Sequence, residues 1–171
     1  MDEELIGVRR GLLYPYIDAT DAYHCPGDRR YTDPPEDISY GGDGAYRSYA
    51  IVGGMNGEDG SGWGFTRLTT MSALISPSDK YILVEEAEPR GWNMNSWVID
   101  PDLNTTDWND PIAIWHNDRS TIGFADGHAE KHNWVDPDTI LMGLTQDFGL
   151  VDPGSVDMIY MKRHFPYESL L

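Results

Sequence analysis

The chain has one cysteine, Cys25, in 171 residues, so no intrachain disulfide can close and the fold must be held by packing or by a metal. Basic side chains are scarce: 12 Lys and Arg stand against 29 Asp and Glu, a net charge of −17 with histidine neutral. Phosphate backbones and anionic lipid headgroups are bound by basic patches, so nucleic acid is excluded as a partner and an acidic, well-solvated surface is implied. There is no apolar run of the roughly 20 residues that a membrane-spanning helix needs. HExxH, a nucleophile elbow and a phosphate-cradling glycine loop are all missing. Nor is there an internal repeat or a Pro/Gly/Ser linker between two hydrophobic units, which reads as one domain over residues 1–171.

Aromatic side chains are abundant. Six Trp, ten Tyr and four Phe within a 40% hydrophobic composition supply a core and argue against disorder. Eighteen Gly and eleven Pro spread along the chain imply many turns and a loop-rich fold. Leu5, Val8 and Leu12 recur at helical spacing over residues 2–13, with Pro15 as the stop. The stretch from Asp18 to Gly44 reads as a long irregular connection. Strands are expected at Arg47–Val52, at Tyr81–Glu85 and at Ser96–Ile99, whereas Leu68–Ile75 fits a short helix or a strand equally. Asp126-Gly127 between Thr121–Ala125 and His128–Trp134 is a hairpin signal. A two-residue type I′ turn there would pair Phe124 with Ala129 and Ile122 with Lys131. Phe124 and Ile122 would then face the core, and His128, Glu130 and His132 the opposite side. The sum is an α+β fold, an N-terminal helix on a small, mostly antiparallel sheet.

His116 precedes Asp126-Gly127 by the spacing H-x9-DG, and other blocks occur in order with it. These are Leu12-Leu13-Tyr14-Pro15-Tyr16, Cys25-Pro26-Gly27-Asp28, Arg47-Ser48-Tyr49, Ser76-Pro77 before Tyr81–Glu86, and a closing Asp157–Arg163 before Pro166. Together they resemble the prepilin-type processing-associated H-x9-DG family, pilin-like and pseudopilin-like proteins of type II secretion and type IV pilus systems. The resemblance implies a pilin-like fold, a structural and non-enzymatic role, other pilin-like subunits and the secretion or pilus machinery as partners, and a periplasmic or cell-surface location. Members carry a processed leader and an apolar N-terminal helix. The opening Met1–Arg10 reads as the remaining end of that helix, so membrane attachment is expected only through a segment this sequence lacks.

Within that reading His116, Asp126 and Gly127 form a structural motif, fixing the turn and the loop entry. Three other chemistries compete. A metal-dependent hydrolase would gather Glu85, Glu86, His116, Asp126, His128 and His132 around zinc. A carbohydrate-binding or adhesin module would expose Trp63, Trp92, Trp97, Trp108, Trp115 and Trp134 as a stacking face. No cofactor is required, but an excess of oxygen donors favours calcium over zinc as any bound metal, with Asp100, Asp102, Asn104 and Asp107 as its loop. That loop fails as an EF-hand, since Thr105 and Pro111 stand where Gly and Glu are needed. Cys25 beside His24 is a poor nucleophile–base pair, because neighbours on an extended segment point to opposite sides.

Overall fold

The computed structural model describes residues 2–33, 46–56, 58–87, 96–146 and 150–168. Five strands form one sheet in the order β3-β1-β2-β4-β5: β1 (Tyr49–Val52), β2 (Tyr81–Glu85), β3 (Ser96–Trp97), β4 (Arg119–Phe124) and β5 (Ala129–Asn133). Three of the four pairings are antiparallel, and β1 with β3 is parallel. The chain is therefore mixed α/β, with a mixed and mostly antiparallel sheet.

The Tyr-Ile-Leu-Val run forms β2 over the expected residues. A bulge between Tyr81 and Leu83 resets its alternation, so that Tyr81 pairs with Phe124 and Val84 with Ile122, both on the core face. On that face Ala50, Val52, Tyr81, Val84, Trp97, Ile122, Phe124 and Trp134 pack with Met142, Met158, Met161 and Phe165. The last four come from α4 (Pro137–Thr145), α5 (Val156–His164) and the residue after α5. Both helices start on side-chain caps: Asp136 accepts from the Asp138 N–H ahead of Pro137, and Ser155 accepts from the Met158 N–H. Edge-to-face rings run through the core from Phe65 to Phe165, Tyr81, Trp97, Trp108 and Trp134, with centroids 5.0–6.5 Å apart. Helix α1 (Asp2–Arg10) makes its main contacts with α2 (Tyr14–Ile17) and the 3-10 turn at Thr20–Tyr23. Leu68–Ile75 is neither strand nor α-helix but holds a 3-10 turn at Met71–Ala73. The part of the long N-terminal connection at 34–45 lies outside the described residues.

The hairpin forms, but its register is one residue off the expected one. Gly127 N–H donates to the Phe124 carbonyl at 3.0 Å and Phe124 N–H to the His128 carbonyl at 2.8 Å, which makes a three-residue loop, Ala125-Asp126-Gly127. Of the three only Gly127 has positive φ, +95°. This is a type I turn closed by a left-handed glycine, not a type I′ turn. Gly123 therefore pairs with Ala129 and Ile122 with Glu130. A one-residue slip exchanges faces, so Glu130 and His132 share the side of Ile122 instead of opposing it. There His132 stacks on Tyr160 of α5 at 4.1 Å, and the Tyr160 hydroxyl donates to Glu130 at 2.8 Å.

The type I′ signature appears one turn earlier. Asn117 and Asp118 both have φ of +58°, between His116, whose N–H donates to the Arg119 carbonyl, and Arg119 itself. Gly127 has open space where a Cβ would be, so a side chain meets no clash there and only backbone strain opposes it. Gly127→Val is expected to cost about 1–2 kcal/mol, read as a lower melting temperature with unchanged far-UV circular dichroism.

Candidate functional site

The residue most diagnostic in the sequence, His116, stands where the type I′ turn delivers it to the sheet face opposite the aromatic core. Glu85 ends β2 on that same face, paired with Tyr49 across β1. The Glu85 carboxylate is fully buried, and its two oxygens have separate tasks. Oε2 accepts the Thr121 N–H at 2.9 Å, while Oε1 lies 3.0 Å from His116 Nε2. The third member comes from the N-terminal segment, which brings buried Cys25 to this face, its Sγ 3.3 Å from the same Nε2. Sγ, Nε2 and a Glu85 oxygen all lie within 4.8 Å of one another.

A shell of polar contacts fixes Cys25. Its N–H donates to Ser48 Oγ at 2.9 Å, and that hydroxyl donates to Asp28 Oδ2 at 2.7 Å. Asp28 is clasped by Arg30 through Nε and Nη2 at 3.0 and 2.7 Å, with the guanidinium 5.0 Å from the Trp115 ring centre. Gly27 N–H donates to Sγ at 3.3 Å. Burial, more than the Glu85 charge, pushes the Cys25 thiol up to about 11, against the opposing pull of the Gly27 N–H. The Tyr49 phenol is pushed up by its own burial and by Glu85 and Cys25 against it.

This geometry does not make a nucleophile–base–carboxylate triad. In such a triad the carboxylate orients the imidazole through one ring nitrogen while the other takes the nucleophile's proton. Here Cys25 and Glu85 both address Nε2, and a single nitrogen cannot play both parts. A thiol held at about 11 is also predominantly protonated at neutral pH and correspondingly unreactive. His24, the neighbour weighed as a base, turns its Nδ1 to the Tyr46 carbonyl at 2.7 Å.

Of the residues expected to surround a catalytic zinc, the structure joins Glu85 to His116 and places the others elsewhere. Asp126 and His128 pair with each other at 2.5 Å, at the opposite end of β4 from His116, a six-residue strand of about 20 Å. His132 sits beside Glu130, and Glu86 lies buried near Arg47. Asp126 has the turn-forming role expected of it, its Oδ1 accepting the His128 N–H at 3.1 Å. Sequence reasoning had no reason to add Cys25 to His116, because 91 positions separate them.

The acidic loop has a cation of its own. Asp100 Oδ1 accepts the Asp102 N–H and Asp102 Oδ1 accepts the Asn104 N–H, each at 2.9 Å. Buried Lys162 of α5 then donates from Nζ to the carbonyls of Asp102 and Thr105 at 2.8 and 2.7 Å. Burial lowers the Lys162 ammonium while Asp100, Asp102 and Asp107 pull it back up. The three carboxylates do not gather as a set around one point. The proposed sugar-stacking face is not assembled either: Trp97, Trp108 and Trp134 are in the core, Trp63 and Trp115 are half-buried, and Trp92 lies outside the described residues. No protein-family model matches the chain, and no curated protein or solved structure matches it significantly.

Proposed function

We propose that this chain is the globular head of a pilin-like or pseudopilin-like structural subunit, a part of a type II secretion or type IV pilus-like assembly. The observation that carries the reading is that three of the sequence blocks resembling the H-x9-DG family meet its motif histidine, His116, at one place. Cys25 and Asp28 of the second block hold Ser48 of the third, Tyr49 pairs with Glu85 of the fourth, and Glu85 meets His116. Residues used this way join four distant chain segments, which is a structural role. Asp126-Gly127, the remaining part of the motif, forms a turn at the far end of the same strand.

One further feature supports a subunit over an enzyme. Leu12, Leu13, Tyr16 and Ile17 leave α2 and its approach with exposed apolar side chains, the kind of surface that a neighbouring subunit covers. Among the described residues no helix is long and apolar enough to cross a membrane; on the proposed reading the partners are other pilin-like subunits and the machinery, outside the inner membrane. The test uses the full-length gene in its native cells. An antibody to this head should detect a membrane-anchored protein whose N-terminal processing stops when the prepilin peptidase is inactivated. Processing that continues unchanged, or a head released by ordinary signal cleavage, overturns the assignment.

A further inference from the structure

We propose that Cys25, Glu85 and His116 form a binding site for one transition-metal ion of the zinc class, tying the N-terminal segment, β2 and the turn before β4 together. This inference does not depend on the pilin-like reading.

Three donors of different chemistry point at a common space: a thiol sulfur, an imidazole nitrogen and a carboxylate oxygen. Around a tetrahedral zinc, with bonds of about 2.0–2.3 Å, neighbouring N, O and S ligands stand about 3.4–3.6 Å apart. The observed 3.3 Å from Sγ to Nε2 and 3.0 Å from Nε2 to Oε1 need only small outward movements to reach that spacing. The feature that spoils a triad suits a metal, because both partners converge on one imidazole nitrogen, the atom that would bind the ion.

Surrounding groups already orient the ligands as supporting partners do in metal sites. Thr121 N–H occupies Oε2 of Glu85 and leaves Oε1 for the ion. Gly27 N–H donates to Sγ, stabilising a thiolate once it forms. Binding replaces the S–H bond by an S–metal bond and releases that proton to solvent, with no change of oxidation state. A bivalent ion then carries two positive charges against the thiolate and the carboxylate, a neutral balance in a buried place. Cys25 and Glu85 are buried while the His116 side chain is 26% exposed, so the fourth position opens beside the imidazole, where a water completes the tetrahedron. One thiolate with one imidazole selects zinc or cobalt over calcium or magnesium, which take oxygen donors.

Cobalt(II) titration of the chelator-treated, folded protein tests this. The expected result is saturation at one ion per chain, with a thiolate-to-cobalt charge-transfer band, tetrahedral d–d bands and displacement of both by zinc. Cys25 is the only cysteine, so that band in the unmodified protein already assigns the sulfur ligand even if a Cys25 variant fails to fold. Cys25→Ser should abolish the band, and His116→Ala should weaken binding about tenfold or more, since even supporting partners of a metal ligand are worth that much. His128→Ala should leave the titration unchanged. A folded protein that shows no charge-transfer band, or binding to which His116→Ala makes no difference, overturns the site.

Discussion

Gly54→Ala is expected to destabilise the protein by about 3 kcal/mol or more, because the substitution drives a methyl group into backbone and not into a movable side chain. Gly54 lies in α3 (Gly53–Asn56), where a Cβ would sit well inside van der Waals contact of the Pro166 carbonyl oxygen and 3.0 Å from its carbonyl carbon. Neither partner is free to retreat. The Gly54 carbonyl accepts the Leu68 N–H at 2.8 Å; on the other side, Phe165 is fully buried and Glu168 N–H donates to the Thr66 carbonyl at 2.9 Å. For a chain of this size the loss corresponds to a melting temperature lower by roughly 10 °C. Gly62→Ala, at a position with nothing within 4 Å of a Cβ, is the matched control and should melt close to the unmodified protein. Equal melting of the two variants would mean that the Pro166 carbonyl does not pack against Gly54.

Lys162→Met should cost about 2–3 kcal/mol, the range for losing hydrogen bonds from a charged donor and leaving their acceptors unpaired. Methionine preserves most of the shape but cannot donate, so the carbonyls of Asp102 and Thr105 lose their buried ammonium and Asp100, Asp102 and Asp107 lose the charge that offsets them. The measurement is chemical denaturation with and without calcium. In the unmodified protein the ammonium is bonded to two carbonyls of the loop, and calcium should leave the denaturation midpoint where it is. In the variant the same loop is short of a positive charge, and millimolar calcium should recover part of the loss by mass action. If Lys162→Met is as stable as the parent, the loop is held by its own Asx turns and the lysine only lies across it.

How much of this was legible in the sequence depended on how local each signal is. The Tyr81–Glu85 run was readable because four large apolar or aromatic residues in a row mark a buried strand, and the structure keeps those boundaries. The existence of the hairpin was readable from Asp126-Gly127, but its register was not. One glycine serves equally in a two-residue turn and as the left-handed closing residue of a three-residue loop, and the choice decides which face Glu130 and His132 take. Asn117-Asp118 carries no glycine and so gave little sign of the turn that aims His116. Helices α4 and α5 had signals that went unused: Asp136-Pro137 and Ser155 as caps, and Lys162, Arg163 and His164 in a last turn. Glu85 and His116 were both recognisable as ligand types. What joins them to Cys25 is sheet topology, which no window of sequence contains.

The same topology bears on how copies of this chain behave when crowded together. Strands left at the two margins of a sheet offer unpaired amides and carbonyls to any neighbour, a route to aggregation. Here one margin is β3, only two residues long, and the other is β5, whose exposed Glu130 and Lys131 place charge along the rim. Among the described residues neither offers a long apolar template for a second sheet. Lateral growth by strand addition is therefore discouraged at both margins, and a high local concentration of this chain is expected to avoid the cross-strand stacking that ends in insoluble fibre.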